Sequence, residues 1–176
     1  QFSNSLDFST CIFNVPVSFL NLTLQNIDFQ HSIFKSGVLF KNCIFKDTLY
    51  SQQSTFDDGI HFLECKMPQY IMFDNSTFNN ITNSAGCEVS IKKCTNLNYV
   101  SFESAKIVPR FTLDFTDIND ETVFNNCTFQ NEFFLENATI DNVISFKETK
   151  FTLEANTNPM NSAISFFNIL LTENAK

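Results

Sequence analysis

Between Val38 and Phe78 apolar residues return in pairs two apart, in VLFKNCIF, IHFLECKM and IMFDNSTF, and polar residues break the run after each pair. Phe40, Ser51, Phe62 and Phe73 mark one series of eleven-residue steps; Phe45, Phe56, Met67 and Phe78 mark a second, five residues behind. The unit reads (V/I)-x-F-x-x-(C/S)-x-F-x-x-x. Residues two apart on a strand point to the same face, so each unit predicts two short strands with inward apolar pairs, separated by turns. If each pair forms one wall, eleven residues make half a turn and twenty-two make a full, four-walled coil. Identical slots then stack at about 4.8 Å, the inter-strand spacing.

The pattern is already present at Phe8, Cys11 and Phe13, continues through Val17, Phe19, Leu22 and Leu24, and then through Ile27, Phe29, Ser32 and Phe34. It is interrupted at 79–88, NNITNSAGCE, where Phe73 and Ile91 stand seven residues further apart than one step allows. That segment reads as an inserted loop or as one malformed half-coil. Register resumes at Ile91, Phe102, Leu113, Phe124, Leu135 and Phe146, with Ile107, Ile118, Phe129, Ile140 and Phe151 as the second series. After Thr152 the period changes. Asn158 before Pro159 suits a helix N-cap and first turn, and Met160, Ala163, Ile164, Phe167, Leu170 and Leu171 recur at helical spacing. The pattern therefore predicts an all-β repeat array over 1–151 with an irregular insertion at 79–88, closed by an amphipathic capping helix within 152–176. Phe166, Ile169 and Leu170 lie on or widen the apolar face of that helix, which makes them a candidate homodimer contact.

Composition supports repetition. Twenty-three Phe against three Gly and no Trp is what one position copied many times produces. Cys11, Cys43, Cys65, Cys94 and Cys127 each fall in the slot two before the second apolar residue, where other units have Ser32, Ser54, Ser76, Ala105, Ala138 or Thr149. A slot shared by Cys, Ser, Ala and Thr is a small buried packing position, and free Cys behaves there as a small hydrophobe. Reduced structural thiols are expected, although Cys43 and Cys65 could stack on adjacent coils and bridge in an oxidising compartment. No CxxC and no Cys/His cluster occurs, so neither zinc nor any other cofactor is expected. In the unit that holds Cys94, Asn96 takes the place of the second apolar residue.

The run FKNCIFKDTLYSQQSTFDDGIHFLECKMPQYIMFDNSTF resembles the pentapeptide-repeat proteins, in which a central Leu or Phe and a small residue two before it point into a right-handed quadrilateral parallel β-helix. The resemblance covers Phe8 to about Phe151. The repeat alternates five and six residues, and the more usual A-(D/N)-L-x-x consensus is poorly kept. The family implies a non-enzymatic rod. Some members mimic the shape and charge of DNA and bind gyrase.

Candidate chemistry is sparse. His31 and His61 are the only histidines, thirty residues apart, and read as solvated surface side chains. There is no nucleophile elbow, phosphate loop or HExxH, and a carbohydrate-cleaving site of clustered carboxylates is the remote third reading. Five Asn-x-Ser/Thr sequons, at Asn21, Asn75, Asn80, Asn126 and Asn137, read mostly as by-products of Asn placed at turns. The charge is polarised: Gln1 to Phe102 nets −2, while Glu103 to Glu154 holds ten acidic and four basic residues. Asp114 with Glu136, and Glu132 with Glu154, are twenty-two apart and would stack as like charges on neighbouring coils, the candidate surface for a cationic partner. No basic stripe exists for direct nucleic-acid binding. No run of about 18 apolar residues spans a membrane. The first residues lack the basic start and apolar core of a signal peptide, and Gln1 reads as a processing boundary. The expected function is a protein-interaction or scaffold module in a bacterial cytoplasm, with an acidic DNA mimic as the alternative. Membrane association through segments outside these residues stays open.

Overall fold

The computed structural model describes residues 5–81, 87–152 and 164–172. The strands among them pair in parallel and form a β-solenoid of four ladders, which the chain visits in the same order in every turn. The first ladder starts with Leu6–Asp7 and ends with Ile144–Ser145; the second starts with Ile12–Phe13 and ends with Lys150–Phe151. The third runs from Val17–Leu20 to Ile164–Phe167 and has the longest strands, four or five residues. Each of these three is seven strands deep. The fourth is broken. Thr23–Leu24 pairs with Ile44–Phe45, and Asp117–Ile118 continues through Thr139–Ile140 to Leu170–Leu171. Between the two pieces only lone bridges at Lys66, Thr95 and Leu97 carry the ladder. At about 4.8 Å per step the array is about 30 Å long.

The corners explain the polar half of the repeat. Of the fifteen non-glycine residues with positive φ, all but Asn96 directly precede the small-residue slot or its larger occupants Leu22 and Ile169. At the first-to-second corner, the amides of Ser32, Ser76 and Ala105 donate to the carbonyls of Phe29, Phe73 and Phe102 at 3.0, 3.1 and 2.9 Å. Each four-residue segment has its third residue left-handed, as a type II turn requires. Asn tolerates that conformation best and fills it at Asn21, Asn42, Asn75, Asn126, Asn137 and Asn168.

The small slot also has a polar task. Ser54 Oγ donates to the carbonyl of Phe29, one turn earlier, at 2.6 Å, and Ser76 Oγ donates to that of Ser51 at 2.6 Å. Cys43 and Cys127 do the same to Phe19 and Phe102 at 3.2 and 2.7 Å. Cys, Ser and Thr are small, and each brings a donor that satisfies a buried carbonyl, so they interchange in this slot. The six cysteines are free thiols.

Inside, phenylalanines stack along the axis. Phe13, Phe34, Phe56 and Phe78 form one column with centroids 4.6 to 5.1 Å apart and rings within 7° of parallel. Phe19, Phe40 and Phe62 form another, and Phe73, Phe102, Phe124 and Phe146 a third. Ser51 occupies the third column between Phe29 and Phe73; its hydroxyl is buried without a hydrogen-bond partner.

Two expectations are corrected. Ile164–Phe167 and Leu170–Leu171 are strands, paired with Phe133–Glu136 and Thr139–Ile140, not turns of a helix. Ile164, Phe166, Ile169 and Leu171 also carry the two-apart spacing, and in-register pairing with the preceding coil fixes the extended form. The residues that suggested the helix start, Asn158 to Ala163, lie outside the described residues. In the unit that opens with Cys94, Asn96 does not fill the inward slot. Its φ of 59° turns its side chain out, and Leu97, fully buried, takes the place and bridges to Ile118. No helix among the described residues is long and apolar enough to cross a membrane.

Candidate interaction surface on the third ladder

The third ladder is the widest wall, and its outward residues fall into columns fixed by register. His61, Ser90, Thr112 and Phe134 form one; Leu63, Lys92, Asp114 and Glu136 form another. A third column runs along the entry edge, where Glu88 pairs in register with Arg110, and Glu132 stands one coil further on, just before its strand.

Glu88 enters this wall directly after the insertion and is placed by Gly59. Gly59 has φ 84°, and a Cβ there would lie 2.3 Å from the carbonyl oxygen of Glu88, so only glycine lets the two backbones approach. The Glu88 carboxylate accepts a hydrogen bond from Lys92 Nζ at 2.5 Å and one from Thr112 Oγ1 at 3.5 Å. His61 Nδ1 lies 3.8 Å from it and 2.9 Å from Ser90 Oγ. Desolvation lowers the His61 pKa despite the nearby Glu88 carboxylate, with Lys92 adding to the lowering, so the ring is held neutral. Both the serine and the carboxylate face the same imidazole nitrogen. A relay needs them on opposite nitrogens, so this is a hydrogen-bonded cluster and not a nucleophile with its base.

One coil on, Arg110 Nε donates to Glu132 Oε2 at 2.5 Å, and its guanidinium lies 5.3 Å from the centre of the Phe134 ring. The entry edge therefore reads acid, base, acid along the axis, and Glu132 is nearly buried beneath Arg110. Of the four carboxylates singled out in the sequence, Asp114 and Glu136 stack in register as like charges, with Asn137 Nδ2 donating to Asp114 at 3.0 Å. Glu132 belongs to the other edge and is neutralised. Glu154 lies outside the described residues. Sequence reasoning passed over Glu88 and Arg110, although the twenty-two-residue offset that aligned Asp114 with Glu136 also aligns Glu88, Arg110 and Glu132.

Elsewhere, the break in the fourth ladder leaves an open recess of about 420 Å³ beside Ile44, Lys66, Tyr70, Asn96 and Asp120. A second, apolar cavity of about 480 Å³ opens at the last turn among Leu135, Ile140, Phe146, Phe166, Ile169 and Leu171. Of the candidate dimer residues, Phe166, which is exposed, and Ile169, which packs on the core, line it, while the exposed Leu170 does not. Burial pushes the Cys127 thiol up to about 12 and, with Asp58 and Glu88 nearby, that of Cys87 up to about 11, which keeps both in the unreactive thiol form. Among the described residues no group of three or more His, Cys, Asp or Glu is arranged to hold a metal ion. Against family models, curated proteins and solved structures, the chain gives no match.

Proposed function

We propose that the chain is a rigid rod, right-handed and four-sided as the pentapeptide-repeat resemblance implies, that works as a non-enzymatic protein-interaction or scaffold module. The third ladder is its partner surface. The observation that carries this reading is the seven-strand ladder itself: parallel pairing fixes outward side chains in columns on one wall, as repeat rods require for extended binding surfaces. The wall offers one aromatic-cation pair, Phe134 with Arg110, flanked by charges of both signs, a surface suited to a protein partner of mixed charge. The acidic-mimic reading rests on Asp114 and Glu136; the Arg110–Glu132 pair weighs against it, because a phosphate-like column needs unneutralised charge.

The test is capture of partners from a lysate of the source organism with wild type, Phe134→Ala and the double variant Asp114→Asn/Glu136→Gln. The scaffold reading expects a partner that survives high salt and is lost with Phe134→Ala. A partner released by salt, displaced by DNA and lost with the double variant would establish the mimic instead. Capture unchanged by every variant would remove the third ladder as the binding wall.

A further inference from the structure

We propose that Cys65 and Cys94 form a reversible disulfide, an oxidation-driven staple across the seam where the fourth ladder is broken. The bond would join the coil before the 79–88 insertion to the coil after it. It does not depend on the partner surface assigned to the third ladder.

Three thiols stand in one file. Lys41, Leu63 and Lys92 pair in register two residues before Cys43, Cys65 and Cys94, and Ile44, Lys66 and Thr95 pair one residue after them. The cysteines therefore hold the same slot on three successive coils. All three are buried, and each Sγ leans toward the preceding coil, donating to the carbonyls of Phe19, Phe40 and Phe62 at 3.2, 3.6 and 3.6 Å. Neighbouring Cα atoms in such a file are about 4.8 Å apart, inside the range of about 4.4 to 6.8 Å that a disulfide spans. Cys127, in the other small-residue column, has Ala105 and Thr149 as its coil neighbours and no thiol beside it.

Of the two neighbouring pairs in the file, the later one lies where the backbone holds least. Ile44 belongs to a strand paired with Thr23–Leu24, whereas Lys66 and Thr95 make only lone bridges, and the open recess lies beside Lys66, Met67 and Asn96. Segments with few backbone pairs open most readily, which gives a small oxidant its way in. Cys94 is also the thiol of the three that ionises most easily. Hydrogen bonding with Cys65 lowers the Cys94 pKa against desolvation, while contact with Cys65 and then burial raise that of Cys43.

The oxidant is a peroxide. The Cys94 thiolate attacks one peroxide oxygen, the O–O bond breaks, and hydroxide leaves as Cys94 becomes a sulfenic acid. The Cys65 sulfur then attacks the Cys94 sulfur, the S–O bond breaks, and the hydroxyl departs with the Cys65 proton as water. Two thiols and one hydrogen peroxide thus give one disulfide and two waters. The S–H donors given up are those to the Phe40 and Phe62 carbonyls, both long at 3.6 Å.

Hydrogen peroxide titration of the folded chain without denaturant, read by intact mass and by non-reducing tryptic mapping, tests this in wild type, Cys43→Ser and Cys65→Ser. Trypsin cuts after Lys41, Lys46, Lys66, Lys92 and Lys93, so Cys43, Cys65, Cys87 and Cys94 are released on separate peptides. Ser holds the equivalent slot at Ser32, Ser54 and Ser76, so both variants are expected to fold, which far-UV circular dichroism checks. Oxidised wild type should lose two hydrogens, yield a Cys65–Cys94 linked peptide and unfold at a higher urea midpoint than the reduced form. Dithiothreitol should return both mass and midpoint. Cys43→Ser should behave as wild type, and Cys65→Ser should show neither link nor midpoint shift. The proposal is overturned by a wild type that gains oxygen or stays unchanged without linking, by a link confined to Cys43 and Cys65, or by a Cys65–Cys94 link that leaves the midpoint where it was. Should a variant fail to fold, the wild-type map and midpoint decide alone.

Discussion

Phe133 and Phe166 stand beside each other at the same wall, one on the sixth and one on the seventh strand of the third ladder. Phe133 is fully buried, and Phe166 is 58 % exposed. Their own strands are alike in length and pairing. What differs is the neighbour on the far side. In a solenoid a side chain is buried by the coil that follows it, so the same motif is core in the middle of the rod and surface at its end.

The largest effect expected from this difference is on stability. Phe133→Ala should cost about 3 to 5 kcal/mol, and Phe166→Ala well under about 1 kcal/mol, by urea unfolding. Equal costs would show that the last turn is covered as fully as the middle. The same contrast of middle and edge applies to charge. Arg110→Met leaves the nearly buried Glu132 carboxylate without its donor and should cost about 2 kcal/mol, while Glu136→Gln, which relieves the stacked pair with Asp114, should be neutral or slightly stabilising in the same assay.

A smaller and sharper comparison lies within the core. Ser51 and Ser54 are both fully buried, but Ser54 donates to the Phe29 carbonyl and Ser51 Oγ has no partner. Ser54→Ala should lose about 1 kcal/mol, and Ser51→Ala should gain up to about 1 kcal/mol. Opposite signs from the same substitution three residues apart would confirm that the slot is selected for its donor as well as its size.

The smallest effect is the pH response of the cluster on the outer wall. His61 is held neutral in the fold by desolvation, so the unfolded chain binds the proton more readily. Stability should be full above the ordinary histidine range and fall as pH drops through it toward the lowered folded value. His61→Gln should flatten that part of the urea-midpoint profile; an unchanged profile would assign the dependence to other groups.

Much of the solenoid was legible because one spacing, eleven residues, recurs through both apolar series. The two interruptions show where that legibility stops. Both fall between the second and third ladders: the pairing of Ile60 with Val89 spans twenty-nine residues, and that of Phe133 with Ile164 spans thirty-one, against twenty-one or twenty-two for pairs whose turn crosses neither interruption. After the first interruption five further regular steps restore the register in the sequence. After the second only Ile164 to Leu171 remain, too few to show a period, and helical spacing fits them as well as strand spacing. Asn96 misled for a related reason: one left-handed residue passes the inward slot to Leu97 without changing the number of residues in the turn.

The sequence by itself determined the period, the inward and outward sets, the small slot and the polar corners, because each follows from alternation along a strand and from turn chemistry that is local. The tertiary structure decided what depends on which coil lies next to which. It made strands of Ile164–Phe167 and Leu170–Leu171, broke the fourth ladder beside Asn96, and joined Glu88, His61 and Lys92 across the insertion. It also set Arg110 against Glu132, removing that carboxylate from the acidic column. Those are contacts between residues a full turn or more apart, and their energies appear only once the coils are stacked.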